Sequence, residues 1–299
     1  MFTSMKLPLR SVIIAALVAP CSALPLSAQA GSDIHVGDLL LGPSSVEIRG
    51  VYNATDRPGY DNQPWFAPDG ASLLYARIDD ERPDIYRYVF ADRSSVRLTE
   101  TPGGDLSPSA FGETGEFLAL SNGSVDDGPW GVWRFSASGE PIAPLIDPVY
   151  VANYYGIANE QVVLGWLAEG DGVLQRADRN DGTVTFVRDR VAPSPPQRIP
   201  GDSGMSIAEP NFLGQIWIKR LDLDSWEVTP IVPVVGQGWH YAWTPDGRLL
   251  MADGEAIFLR DPDTDEDWRE VARFPGMGSI SRVVVSADGT RIAFVAEGS

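Results

Sequence analysis

Thiol and imidazole chemistry are almost missing from this chain, which has one cysteine and two histidines in 299 residues. The cysteine, Cys21, lies in an N-terminal segment expected to be removed. What remains can form no disulfide, thiol nucleophile or thiolate metal site. Basic side chains are also scarce, with 23 Lys and Arg against 41 Asp and Glu and a formal net charge of −18. A surface of that sign repels phosphate backbones and anionic lipid heads, so nucleic acid is not an expected partner. No apolar run beyond residue 30 approaches the length of a bilayer span, so membrane insertion is not expected. Neither a glycine-rich phosphate loop nor a Rossmann fingerprint occurs.

The first 30 residues read as a secretory signal peptide. Lys6 and Arg10 give a positive start, and Val12 to Ala19 form an apolar run too short to cross a bilayer. Ala28-Gln29-Ala30 offers a small-x-small cleavage site, with cleavage expected after Ala30. Pro20 before Cys21 argues against lipid attachment, which wants a small residue there. The expected mature protein, residues 31–299, is one domain, periplasmic or secreted, and monomeric.

Internal repetition decides the fold class. The clearest unit opens Gln63-Pro64-Trp65-Phe66-Ala67-Pro68-Asp69-Gly70 and runs on through Leu73-Leu74-Tyr75-Ala76. It continues with Asp84-Ile85-Tyr86-Arg87-Tyr88 and ends Val96-Arg97-Leu98-Thr99. These are four short strand-like runs separated by turn residues. Pro-Asp-Gly makes a turn because Pro fixes φ, Asp bonds its own backbone and Gly accepts positive φ. Related turns stand at positions 69, 113, 159, 202, 246 and 288, in steps of 44, 46, 43, 44 and 42. That period, with four strands per unit, marks a β-propeller. Only 11 residues follow Asp288, enough for one strand. Asp33 to Asp38 and Val46 to Arg49 match the third and fourth strands that the last unit lacks. The expected fold is therefore all-β, a six-bladed β-propeller with four antiparallel strands per blade, its last blade closed by N- and C-terminal strands.

The segment Gly59-Tyr60-Asp61-Asn62-Gln63-Pro64, followed by Pro68-Asp69-Gly70, resembles bacterial TolB-type propeller repeats, which are WD-repeat-like. Ile85-Tyr86-Arg87-Tyr88, Leu98-Thr99 and Tyr241-Ala242-Trp243-Thr244-Pro245-Asp246-Gly247 extend the likeness, which covers essentially all of 33–297. The resemblance implies a six-bladed propeller outside the cytoplasm that binds a protein or small ligand more often than it catalyses. TolB itself carries an extra N-terminal α/β domain, for which there is no room between Gly31 and the first strands. The implied relative is a stand-alone exported propeller.

Counting six residues back from each turn acid gives Gln63, Ser107, Asn153, His240 and Arg282. In the fourth unit the count reaches Pro196, with Gln197 and Arg198 beside it. One polar side chain per blade would converge at a mouth of the central channel, with Tyr154, Trp239 and Tyr241 as apolar walls. Arg198 and Arg282 would face an anionic group. No catalytic set, metal site or cofactor is expected. His240 has no local carboxylate to orient it, and His35 fills a strand slot as a packed side chain. Gly201-Asp202-Ser203-Gly204 spells a protease nucleophile motif but falls on the fourth unit's turn. Asp261 to Asp267 alternates acids as a calcium loop does, but Glu266 replaces the required glycine, so it reads as a solvated hairpin. The expected function is a non-catalytic binding or scaffold protein for a protein partner or small anionic ligand. The alternative is a metal-assisted, lactonase- or lyase-like propeller enzyme.

Overall fold

The computed structural model describes residues 31–79, 82–123, 130–146 and 152–298. The expected signal peptide, with Cys21, lies outside the described residues. Among these residues the protein is all strand and turn, without a helix. The chain opens with β1 (Ser32–Leu41) and β2 (Val46–Asn53). Next come β3 (Tyr60–Phe66), β4 (Ser72–Asp79), β5 (Arg82–Val89) and β6 (Ser94–Arg97). Then follow β7 (Asp105–Ala110), β8 (Phe117–Ser121), β9 (Gly131–Phe135) and β10 (Pro141–Pro144). After these run β11 (Tyr154–Ile157), β12 (Val162–Leu167), β13 (Val173–Asp178) and β14 (Val184–Asp189). They are followed by β15 (Gln197–Arg198), β16 (Met205–Pro210), β17 (Ile216–Leu221) and β18 (Val228–Pro233). The last are β19 (Tyr241–Trp243), β20 (Leu249–Asp253), β21 (Ala256–Arg260), β22 (Arg269–Arg273), β23 (Ser279–Val285) and β24 (Arg291–Glu297).

Four sheets are four-stranded antiparallel meanders: β7–β10, β11–β14, β15–β18 and β19–β22. The other eight strands form one sheet, in which β23–β24–β1–β2 and β3–β4–β5–β6 are antiparallel runs. A single parallel pairing, Ser32 with Tyr60, joins the two runs. The two ends of the chain share a ladder, as the sequence suggests: β1 pairs β24 from Ser32↔Glu297 to Asp38↔Arg291.

The position of a strand in its sheet sets its burial. β4, β8, β12, β16, β20 and β24, each second in its run, are mostly buried along their length. Their apolar runs are near-continuous because neighbouring sheets cover both faces. The outermost strands β6, β14 and β22 are largely exposed. A core lies between each consecutive pair of four-strand runs. Leu74, Ala76 and Ile85 pack on Phe117, Ala119 and Phe135. Leu118, Leu120 and Val132 meet Tyr155, Val163 and Ala177, while Leu164 and Leu174 meet Met205, Ile207 and Leu221. Ala208 and Ile218 pack on Leu249 and Met251, and Leu250 and Leu259 on Val283, Ile292 and Phe294. Ile34, Val36 and Val295 then return to Leu73 and Tyr75, which brings the arrangement back to its start. This is the arrangement of a β-propeller.

The Asp-Gly turns cap the inner hairpins. Gly70, Gly247 and Gly289 have φ of 65°, 87° and 69° and donate to the carbonyls of Ala67, Thr244 and Ser286. Asp202 and Gly204 form the corresponding turn of the fourth unit. Asp202 Oδ1 accepts the Gly204 N–H at 2.6 Å and is clamped by Arg220 at 2.8 Å. The protease-like tetrapeptide is therefore a turn here.

Candidate functional site

The first strand of several units carries a β-bulge where the repeat places its polar residue. Pairing slips between Asn62 and Trp65 in β3, between Leu106 and Ser109 in β7, and between Ile280 and Arg282 in β23. Gln63 and Ser107 take left-handed φ of 57° and 52°, uncommon for such residues and a conformation that neighbours must hold in place. A bulge redirects a side chain out of the strand alternation.

Some of the nine expected residues lace the first strands together. Gln63 Oε1 accepts the Ser107 N–H at 2.7 Å. The Ser107 carbonyl accepts the Tyr155 hydroxyl at 2.9 Å. Gln197 Nε2 donates to the Tyr241 carbonyl at 2.7 Å, so Gln197, the neighbour of Arg198, makes the fourth unit's link. Tyr241 is buried and donates its hydroxyl to Ser206 Oγ at 2.9 Å. Asn153 is exposed, and its Oδ1 accepts the Ala168 N–H at 2.8 Å. Arg198 is exposed at the end of β15, and no hydrogen bond or ring contact joins it to the other eight among the described residues.

The remaining four meet. Arg282 of β23 donates to the Tyr154 hydroxyl of β11 at 3.2 Å, across 128 positions of sequence, and its guanidinium lies 5.7 Å from the Tyr154 ring centre. His240 meets Tyr154 edge-on with ring centres 6.2 Å apart, and Trp239 lies 6.3 Å from His240. Crowding by protein atoms, then the Arg282 charge, holds the His240 imidazole well below its ordinary value, so it is neutral at physiological pH. Tyr60, a residue not singled out from the repeat count, joins this group. Burial pushes its phenol up to about 12 despite the nearby Arg282 charge. The repeat count does not reach it, because Tyr60 lies three residues before the counted place at Gln63. Arg282 has no carboxylate partner among the described residues, although the chain has a large excess of acids. A half-buried cation with no carboxylate beside it among the described residues favours an incoming anion. The group holds a cation, two phenols and a neutral imidazole. It can donate hydrogen bonds to an oxyanion, and it contains no nucleophile–base pair.

Trp239 also lines a groove of about 390 Å³ with Arg190, Ala192, Pro193, Pro210 and Ile216. A second hollow, of about 370 Å³, lies at the seam between the chain ends and is lined by Asp33, His35, Asn53 and Arg57. His35 is 8% exposed and stacks on Phe294 at 5.4 Å, as expected of a packed histidine. Among the described residues no three His, Cys, Asp or Glu side chains are grouped to hold a metal ion.

No protein-family model matches the chain, and no curated protein matches it in sequence. Solved structures do match. A TolB-like protein from Agrobacterium tumefaciens superposes with a TM-score of 0.67 at 16% identity, over 90% of this chain and 98% of that one. A gluconolactonase from Xanthomonas campestris gives 0.60 at 10% identity, over 87% and 95%. TolB from Acinetobacter baumannii gives 0.56 at 12% identity, over 89% of this chain and 64% of that longer one. At these identities the likeness establishes the propeller fold, which these proteins share whatever they bind or convert.

Proposed function

We propose that this protein is an exported, non-catalytic β-propeller of six four-stranded blades, which holds an anionic ligand or partner group at the mouth of its central channel. Six apolar clusters, one between each consecutive pair of four-strand runs, support that blade count. On this reading the parallel Ser32–Tyr60 pairing is a contact between two adjacent blades. The observation that carries the function is Arg282, which reaches from the last blade to Tyr154 in the third with no carboxylate partner among the described residues. Tyr60, Tyr154 and His240 would add hydrogen bonds to the anion, and Trp239 an apolar wall.

Isothermal titration with N-acetyl-leucine and with inorganic phosphate tests this. Binding of either anion is expected to be lost in Arg282→Ala, with the thermal midpoint within about 2 °C of the parent, and kept in Arg198→Ala. Equal affinity in parent and Arg282→Ala places the site elsewhere.

The fold shared with a gluconolactonase supports a second reading, a metal-assisted lactonase- or lyase-like enzyme working at the same mouth. Metal analysis of the purified protein and a lactone-hydrolysis assay separate the two. A stoichiometric metal lost in His240→Ala, with turnover lost alongside it, would carry the enzyme.

A further inference from the structure

The channel group does not end at His240. Trp239 belongs both to it and to the apolar groove, so a chain of side-chain contacts links Arg282, Tyr154 and His240 to the groove at Pro210 and Ile216. Above the groove stands the β16–β17 turn, Asn211-Phe212-Leu213-Gly214. Phe212 is 90% exposed and Leu213 77%. This turn is not loose. Asn211 Oδ1 accepts the N–H groups of Leu213 at 2.9 Å and Gln215 at 3.1 Å, and the Gly214 N–H donates to the Asn211 carbonyl at 3.0 Å. Gly214, at φ of 83°, completes the turn. Two large apolar side chains are thus fixed outward beside the groove, where their hydration is unfavourable until something covers them.

We infer that the partner is another protein that inserts its C-terminal tail. The terminal carboxylate reaches Arg282, a large apolar side chain near the terminus fills the groove beside Trp239, and the partner's surface covers Phe212 and Leu213. This rests on the anion-binding reading above and names its ligand. The carboxylate follows from a guanidinium that has no carboxylate partner among the described residues. The apolar side chain follows from the lining of the groove, and its volume suits a few side chains. A peptide suits the site better than a fatty acid because Asp171 and Arg190 stand at the groove as hydrogen-bonding groups that a hydrocarbon chain cannot use. A free small molecule would also leave Phe212 and Leu213 bare, whereas a folded partner behind its tail would not. The chain of contacts from Arg282 to Trp239 includes two ring-to-ring steps of about 6 Å, roughly three to five extended residues.

A display library of random heptapeptides with free C-termini, panned on the full mature chain, tests this. Enriched peptides are expected to end in the free acid with a large apolar residue among the last four positions. Synthetic versions should bind at least tenfold more weakly as C-terminal amides, in Arg282→Ala, and in Trp239→Ala or the milder Trp239→Phe. Phe212→Ser with Leu213→Ser should leave short peptides bound and weaken at least tenfold a small folded carrier bearing the same tail. Amides that bind as well as acids, or no enrichment, overturn the proposal. If N-acetyl-leucine binds through Arg282 but no peptide binds more tightly, the channel site stands and its extension along the groove falls. If neither binds, both fall. Dodecanoate that binds more tightly than every selected peptide identifies the ligand as a lipid acid and overturns the protein tail.

Discussion

Asp61, Asp84 and Asp105 are carboxyl groups folded away from water. Asp61 meets Arg57 at 3.2 Å and Asp84 meets Arg97 at 2.8 Å, yet burial outweighs both arginines and pushes each carboxyl up to about 6. Burial also raises Asp105, against the hydroxyls of Ser121, Thr99 and Thr101. An acid whose folded value lies above its unfolded one binds more protons when folded. Its contribution favours folding at low pH and weakens as pH rises from about 4 to 6. Asp61 and Asp84 are therefore each expected to favour the folded state by about 1.4 kcal/mol more at pH 5 than at pH 7.5, while His35 and His240, held neutral by burial, pull the other way. Asp84→Asn, which stays neutral throughout, should remove that residue's share, so the stability difference between parent and variant is expected to fall from pH 5 to pH 7.5, as read by differential scanning calorimetry at several pH values. His240 offers a second readout at this scale. An anion at Arg282 would offset the charge that helps depress His240, so its imidazole should titrate higher in the bound state than in the free one. With only two histidines, their ring proton resonances are simple to assign by substitution.

At the scale of elements, legibility follows how local each feature is. The Asp-Gly turns were readable because three adjacent residues dictate them, and they recur at Gly70, Gly247 and Gly289 with similar φ. The closing ladder was readable from the missing strands. The site was readable only in part. Counting back from the turns reaches Gln63 and Ser107, which lie within bulges of their first strands, and Arg282, which flanks one. It misses Gln197 because β15 is two residues long and Pro196 takes the counted place. It could not show that Tyr241 is buried, nor that Arg282 and Tyr154 meet, since such contacts join side chains far apart in sequence. One turn carries a prediction of its own. A Cβ on Gly139, at φ of 92°, would lie 1.9 Å from the Leu98 carbonyl oxygen, whereas one on Gly112, at φ of 64°, would meet nothing within 4 Å. Gly112→Ala should cost about 1 kcal/mol, the left-handed strain alone. Gly139→Ala should cost well beyond that because backbone must move. Urea denaturation of both variants checks the contrast.

For the whole molecule, the pairing of β1 with β24 keeps the outermost units from being open edges. Deleting residues 291–299 removes β24 and exposes the faces of Ile34 and Val36, so the truncated chain is expected to lose cooperative unfolding in calorimetry. A circular permutant that joins the ends and opens the chain between Asp263 and Thr264, in the exposed β21–β22 hairpin, should fold, because the Gly298 N–H already donates to the Gly31 carbonyl at 2.8 Å. A permutant as unstable as the truncation would mean that the hairpin is needed intact.

That seam also fixes how the molecule bears load. Both ends leave the β1–β24 ladder at its Ser32–Glu297 extremity, so tension between them would peel one rung at a time instead of shearing all seven together. A tether at either end would grip nearly the same spot on the rim, and a firm pull on both would open the ring like a clasp while the other sheets kept their shape.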